Sequence, residues 1–318
     1  MNHKLTTHKY IFLLISCLIT CSNKSRENLI ISDVVAFTWS PDSDKVAYVR
    51  HYTSEPIGSN GKKTLHTRLY IRTLGKFEKD ILVLGKDTCL YGIDWFPDSD
   101  IIIIDSRISG HDDGYSHIWM YPIDRCKPPR QLTKDDCHTS YPAISPDGEY
   151  ITFESYSNKK QQSDIYVMSI HNDSIISMTT NGASPQWHPD GKHIVFTALN
   201  ESTYFDILSL DIITGEVDPI VKTKDREYWG SYSPDAQYLS FVRVEENKTL
   251  SLNVLEVQSN KQYQFPDVEV FPFAPPTWHP DGNRILFLKM AKENDINAQL
   301  VSVPFNKSIF EDAVNSRK

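Results

Sequence analysis

The stretch "PQWHPDGKHIVFT", Pro185–Thr197, decides the fold. A short segment ending in an aromatic residue runs into His-Pro-Asp-Gly, and an unbroken apolar run follows. Proline presets φ for the second position of a tight turn, and glycine takes the last position without strain. The run after the turn is apolar at successive positions rather than alternate ones, so the strand it forms must be covered on both faces. The same pattern recurs as "FTWSPDSDKVAYV" at Phe37, "IDWFPDSDIIIID" at Ile93, "PAISPDGEYITFE" at Pro142, "GSYSPDAQYLSFV" at Gly230 and "PTWHPDGNRILFL" at Pro276. Successive prolines are 56, 49, 43, 45 and 46 residues apart. A period in the forties with several strands per unit is the mark of a propeller.

Each copy continues into a third strand, such as "DIYVMSI" or "DILSLDI", then a turn and a weaker fourth strand, such as "RQLT". Six units of four strands predict an all-β, six-bladed β-propeller of four-stranded antiparallel blades, one domain over residues 28–305 with a tail at 306–318. After Pro280 only 38 residues remain, too few for the whole last blade. The strand "ENLIISDVV" (Glu27–Val35) is therefore expected to supply its outer strand, which closes the ring and removes open edges. Within the repeat, Pro41, Asp42, Pro97, Asp98, Pro146, Asp147, Pro189, Asp190, Pro234, Asp235, Pro280 and Asp281 build turns. Trp39, Trp95, Trp187 and Trp278 pack one blade on the next. His188 and His279 each precede a proline, a position confined to extended conformations. Other copies place Ser or Phe96 there, so these histidines are read as structural and as the least constrained members of the motif.

The chain has 318 residues and a formal net charge of −8. No region is strongly basic, which argues against nucleic acid as a partner. Residues 1–20 stand apart: Lys4 and Lys9 precede the apolar run "YIFLLISCLIT", Tyr10–Thr20. That run is too short for a bilayer, which needs roughly 20 residues, and reads as the core of a secretory signal. "LISC" and "LITC" both resemble the lipobox of bacterial lipoproteins. Cys21, followed by the polar tether at residues 21–27, is the better placed, with Cys17 as the alternative. The resemblance implies a lipid on Cys21, holding the protein on a membrane surface. Cys89, Cys126 and Cys137 remain, an odd number that leaves at least one thiol unpaired. Cys89 and Cys137, in the crossings into blades two and three, are a candidate pair. No Cys/His spacing reads as a zinc site, and no metal or cofactor is expected.

In a four-strand meander the Pro-Asp turns share one face. The loops between second and third strands share the other with the crossings between blades. That second face carries the length variation, and binding concentrates on such loops. Its candidate binding residues are Arg107, His111, Asp112, Asp113, Tyr115, His138, Tyr141, Tyr156, Tyr228 and Trp229. Aromatic rings among mixed charges suit a protein or glycan partner. The longest loop, Arg50–Thr67, belongs to the same face, and "ESYSNKKQQS" places Glu154 in a loop there. In "HDDG" a histidine adjoins two carboxylates, but the oxygen-ligand spacing of a calcium loop is absent, so a plain Asp-Gly turn is expected.

These units resemble the WD40-like (PD40) repeats of the TolB family, whose pattern is Leu-Thr, a short loop, then Pro-x-Trp-Ser-Pro-Asp-Gly and an apolar strand. "RQLTKDDCHTSYPAISPDGEYITFES" (Arg130–Ser155) carries nearly all of it. Departures are Ile144 and Tyr232 for the usual Trp, and Ser43, Ser99 and Ala236 for the turn Gly. TolB itself carries an α/β domain ahead of its propeller, for which this chain has no room. Some peptidases join a similar propeller to an α/β-hydrolase domain, but no Gly-x-Ser-x-Gly elbow occurs here. The expectation is an exported, lipid-anchored, monomeric, non-catalytic scaffold in the bacterial periplasm or at the outer membrane, binding a protein or cell-envelope component. The alternative is a polysaccharide-cleaving propeller enzyme, similar to oligogalacturonate lyases, with its site in the central channel. That site needs converging His and carboxylates, whereas the eleven His here are scattered. Labelling with a palmitate analogue checks the anchor: Cys21→Ser should lose the label, and equal labelling of both proteins removes Cys21 as the acceptor.

Overall fold

A computed structural model describes residues 30–53, 65–74, 79–84, 91–106, 115–124, 127–134, 136–199, 205–245, 248–271, 274–290, 298–306 and 308. The signal-like segment over residues 1–20, Cys17, Cys21, the expected tether, Cys89, Cys126, most of the Arg50–Thr67 loop and most of the tail fall outside them. Blade one is β2 (Val34–Trp39), β3 (Lys45–Thr53), β4 (Leu65–Thr73) and β5 (Lys79–Leu84). Blade two is β6 (Ile93–Trp95), β7 (Ile101–Ser106), β8 (His117–Pro122) and β9 (Arg130–Gln131). Blade three is β10 (His138–Ile144), β11 (Tyr150–Ser157), β12 (Gln162–Ser169) and β13 (Ile175–Thr180). Blade four is β14 (Gly182–Trp187), β15 (His193–Leu199), β16 (Phe205–Asp211) and β17 (Val217–Val221). Blade five is β18 (Arg226–Tyr232), β19 (Tyr238–Val244), β20 (Leu250–Glu256) and β21 (Lys261–Glu269). Blade six is β22 (Thr277–Trp278), β23 (Arg284–Met290), β24 (Ala298–Pro304) and β1 (Ile30–Ser32).

Each sheet is a four-stranded antiparallel meander, and β1 completes the last one by pairing Ile30 with Val301 and Ser32 with Gln299. The expected closure by the N-terminal strand is therefore present. The chain divides differently from the single strand expected over Glu27–Val35: Asp33 turns left-handed (φ 63°), and Val34 already opens the inner strand of blade one. The inner strands β2, β6, β10, β14, β18 and β22 touch in sequence around the ring, and β22 meets β2 to close it.

The second strands are covered on both faces, as their unbroken apolar runs require. Ile102, Ile103 and Ile104 are each 0% exposed. Full burial contributes about 1.5–3 kcal/mol per such side chain. Each motif tryptophan lies against the preceding blade: Trp187 with Ala143 and Val167, Trp278 with Val242 and Leu252, Trp95 with Ala47 and Leu69, Trp39 with Leu286 and Leu288. The last position of every Pro-Asp turn is left-handed. Gly148, Gly191 and Gly282 take it freely, while Ser43 (φ 66°), Ser99 (61°) and Ala236 (58°) adopt it at a steric cost.

The histidines of the motif are more constrained than expected. His188 meets Tyr232 of blade five edge-on at 4.4 Å, and His279 meets Trp39 of blade one at 4.5 Å. Each Nδ1 accepts the N–H of the turn aspartate, Asp190 or Asp281. Where Ser replaces His, as at Ser145, the hydroxyl donates to Asp147 and accepts the Tyr150 N–H, closing the turn within its own blade.

Ring closure rests on three residues of β1, of which Ile31 is 4% exposed and packs among Val34, Leu288 and Leu300. Ile31→Ala should lower stability by about 2–4 kcal/mol, read as a reduced urea midpoint at unchanged slope.

Candidate functional site

Among the described residues every inner strand has one edge with no strand beside it, so its outward N–H and C=O groups need other partners. Side chains of neighbouring blades supply them. On blade three, Tyr141 N–H donates to Asp105 Oδ2 at 3.1 Å and Ile144 N–H to Asp94 Oδ2 at 2.9 Å, both on blade two. On blade four, Ser184 N–H donates to Glu154 Oε2 of blade three at 3.2 Å. On blade five, Trp229 N–H donates to Thr197 Oγ1 of blade four at 3.0 Å. Tyr141, Ser184 and Trp229 sit at matching positions, with φ of 49°, 51° and 59°, where the inner strand bulges out of register.

Asp105 and Glu154 lie close enough to repel, with Tyr141 beside both. Burial pushes the Asp105 carboxyl up to about 7, against the opposing N–H groups around it, and Glu154 adds to the rise. Burial also raises Glu154, opposed by hydrogen bonds from Ser163 and Ser184, and raises Asp94 to about 6. The Tyr141 hydroxyl is raised by its burial and by the two carboxylates.

Two aromatic groups flank these acids on the face of the crossings. In one, Tyr115 meets His138 edge-on at 5.2 Å, and His138 pairs in register with Tyr156, whose hydroxyl donates to Gln161 at 3.1 Å. In the other, Phe205 and Tyr228 lie 4.6 Å apart, and Tyr228 and Trp229 5.4 Å apart. The Trp229 indole N–H donates to Ser184 Oγ at 3.1 Å, which ties the second group to the Glu154 side.

Arg107, His111, Asp112 and Asp113 fall outside the described residues, as does Cys89 of the candidate cysteine pair. Glu154 is not a loop residue: it lies within β11, half-buried. His138, Tyr141, Tyr228 and Trp229 belong to inner strands that run further than the crossings drawn from sequence. Asp94, Asp105, Ser184, Thr197 and Phe205 were not among the sequence candidates. A signal for three of the acceptors was present: eight residues past each blade's proline stand Asp105, Glu154 and Thr197 in blades two to four, against Val49, Val242 and Leu288 elsewhere. The opposite face holds a polar cleft of about 830 Å³ between blades five and six, lined by Ser233, Asp235, Asp281, Arg284, Phe305 and Asn306 among others. Among the described residues no helix is long and apolar enough to cross a membrane.

These features define a six-bladed propeller: a repetitive scaffold with two groups of aromatic rings on one face. The chain belongs to the TolB β-propeller domain family, whose model matches residues 24–229. Among solved structures, a protein assigned as TolB from Agrobacterium tumefaciens superposes with a TM-score of 0.63 at 18% identity, over 88% of this chain and 91% of that one. TolB from Acinetobacter baumannii gives 0.64 at 14% identity, over 96% and 72%. A puromycin hydrolase gives 0.58 at 11% identity, where 91% of this chain spans only 53% of that one. These likenesses are of fold alone. No curated protein matches the chain.

The raised carboxyls make stability depend on pH. Between the ordinary aspartate value and about 7, native Asp105 keeps a proton that the unfolded chain releases, so stability falls as pH rises through that window and levels off above it. Asp105→Asn should flatten the fall in melting temperature between about pH 5 and 8. An unchanged slope would show that Asp105 does not hold the proton.

Proposed function

We propose that the protein is an exported, lipid-anchored propeller that binds a protein or cell-envelope component on the face of the crossings, without catalysis. The observation that carries this reading is the pair of aromatic groups, Tyr115–His138 and Phe205–Tyr228–Trp229, seated on or beside strand ends. Tyrosine and tryptophan rings held in place lose little entropy on binding and dominate interface energetics. The signal-like segment and the Cys21 lipobox support export and anchoring, and membership in the TolB propeller family agrees with a periplasmic setting.

A second reading is favoured by Asp105, whose carboxyl titrates near neutrality beside Glu154 and Tyr141, as a general acid or base would. Yet both Asp105 oxygens are engaged by backbone, from Tyr91 at 2.6 Å and Tyr141 at 3.1 Å, and Glu154 is held by Ser163 and Ser184. The acids already have a structural task, so the scaffold reading is preferred.

The test is capture from envelope extracts with immobilised mature protein. Tyr228→Ala and Tyr115→Ala, each confirmed as folded by circular dichroism, should each reduce a specific captured partner several-fold. If both variants retain every partner at wild-type levels, the aromatic groups are not the binding surface.

A further inference from the structure

The Pro-Asp turn of blade four carries a combination absent from the other five. Its sequence is His188-Pro189-Asp190-Gly191-Lys192-His193. Blade six has His279 and Asp281 but Arg284 at the last position, blade one has Ser40, Asp42 and Lys45, and no other copy has histidine at either end. We propose that His188, Asp190 and His193 form a binding site for a divalent transition-metal ion of borderline softness, the Zn²⁺ class, with the remaining coordination positions open to water.

Three features support this. First, the donors converge. His188 Nδ1 lies 3.1 Å from Asp190 Oδ1 and His193 Nδ1 lies 2.7 Å from Asp190 Oδ2, and one ligand atom from each residue falls within 4.8 Å of the others. Metal–ligand bonds of about 2.0–2.2 Å in a tetrahedral site place donors roughly 3.3 Å apart. Metal entry draws the three donors together from within 4.8 Å of one another and takes the His188 Nδ1 lone pair from the Asp190 N–H, 3.1 Å away, that it otherwise accepts. Second, the donors are braced. The Tyr232 ring of blade five backs His188, and Asp190 Oδ1 is aimed by the N–H groups of Lys192 (2.8 Å) and His193 (3.2 Å). Third, His193 has an outer partner. The β15–β16 register sets Asp211 opposite it, with Oδ2 3.7 Å from Nε2. With Nδ1 on a metal, Nε2 carries the proton and faces that carboxylate, an arrangement that orients a ligating imidazole and raises its basicity. The corresponding position in blade six is Pro304, opposite Arg284, so that turn lacks both the second histidine and the outer carboxylate. All three residues are partly solvent-exposed, as an open site requires.

The competing role is a plain ion pair. In blade one Lys45 reaches Asp42 at 2.8 Å from the position His193 occupies in blade four. His193→Lys should reproduce that pair and keep the turn while removing a ligand. Mature wild type, His193→Lys and His279→Ser would be titrated with Zn²⁺ against a fluorescent chelator, and imidazole ¹⁵N resonances recorded. Wild type and His279→Ser should bind one equivalent with equal affinity, with Nδ1 of His188 and His193 shifting together. His193→Lys should bind that equivalent at least tenfold more weakly. Affinities of wild type and His193→Lys within twofold, an equal loss in His279→Ser, or unshifted His188 and His193 nitrogens would each overturn the assignment.

Discussion

Among the described residues the inner strands stand with one edge unpaired, and on blades three, four and five side chains of the preceding blade answer that backbone. A buried N–H without an acceptor costs about 1–3 kcal/mol, and an inner strand exposes several in a row. Asp94 and Asp105 take two from β10, Glu154 takes one from β14, and Thr197 takes one from β18. Carbonyls are met from the other direction: the Trp187 indole donates to Ala143, and Trp278 to Ser231. Blade order is therefore not interchangeable. Blades two to four carry a polar acceptor on the second strand where blades five, six and one carry Val242, Leu288 and Val49.

This cross-blade bonding also shapes the face where binding is proposed. Tyr141, Ser184 and Trp229 adopt left-handed conformations that non-glycine residues rarely take, and each is held there by an acceptor from the blade before it. The bulge at each of these positions breaks the inner-strand register near the end that faces the crossings. Two burial costs are accepted in return: a carboxyl whose proton leaves only near neutrality, and a tyrosine hydroxyl crowded by two acids. The opposite face is regular because every turn there solves one problem, reversal into the second strand, with Pro, Asp and a left-handed closing residue.

Much of the fold was legible in the chain. Pro-Asp spacing and continuous apolar runs give blade number and blade content, and the unassigned strand ahead of the first copy points to the closure that the β1–β24 pairing makes. Those signals are local: turn chemistry and two-sided burial impose residue types at fixed offsets within one unit. The candidate face was legible only in part. Tyr115, His138, Tyr228 and Trp229 could be placed on it by meander topology, but their grouping could not, because Phe205 joins Tyr228 from a different blade. Asp105 was hidden at the end of the run "IIIID", and Glu154 looked like a loop acid, because the mark they share, a polar residue eight positions after the blade's proline, shows only when the copies are aligned.

The linear pattern thus settles architecture, and in this chain it does so down to which strand completes the last blade. Function-bearing detail arises where two blades meet. Whether a carboxylate ends as a solvated loop charge or as a buried acceptor for a neighbour's backbone depends on a surface formed only after the ring closes. The same holds for the histidines of the repeat: the chain marks them as turn residues, and packing brings His188 to Tyr232 and His279 to Trp39. These contacts, 44 positions apart for His188 and Tyr232 and 240 for His279 and Trp39, come from the stacking of blades, which no single repeat encodes.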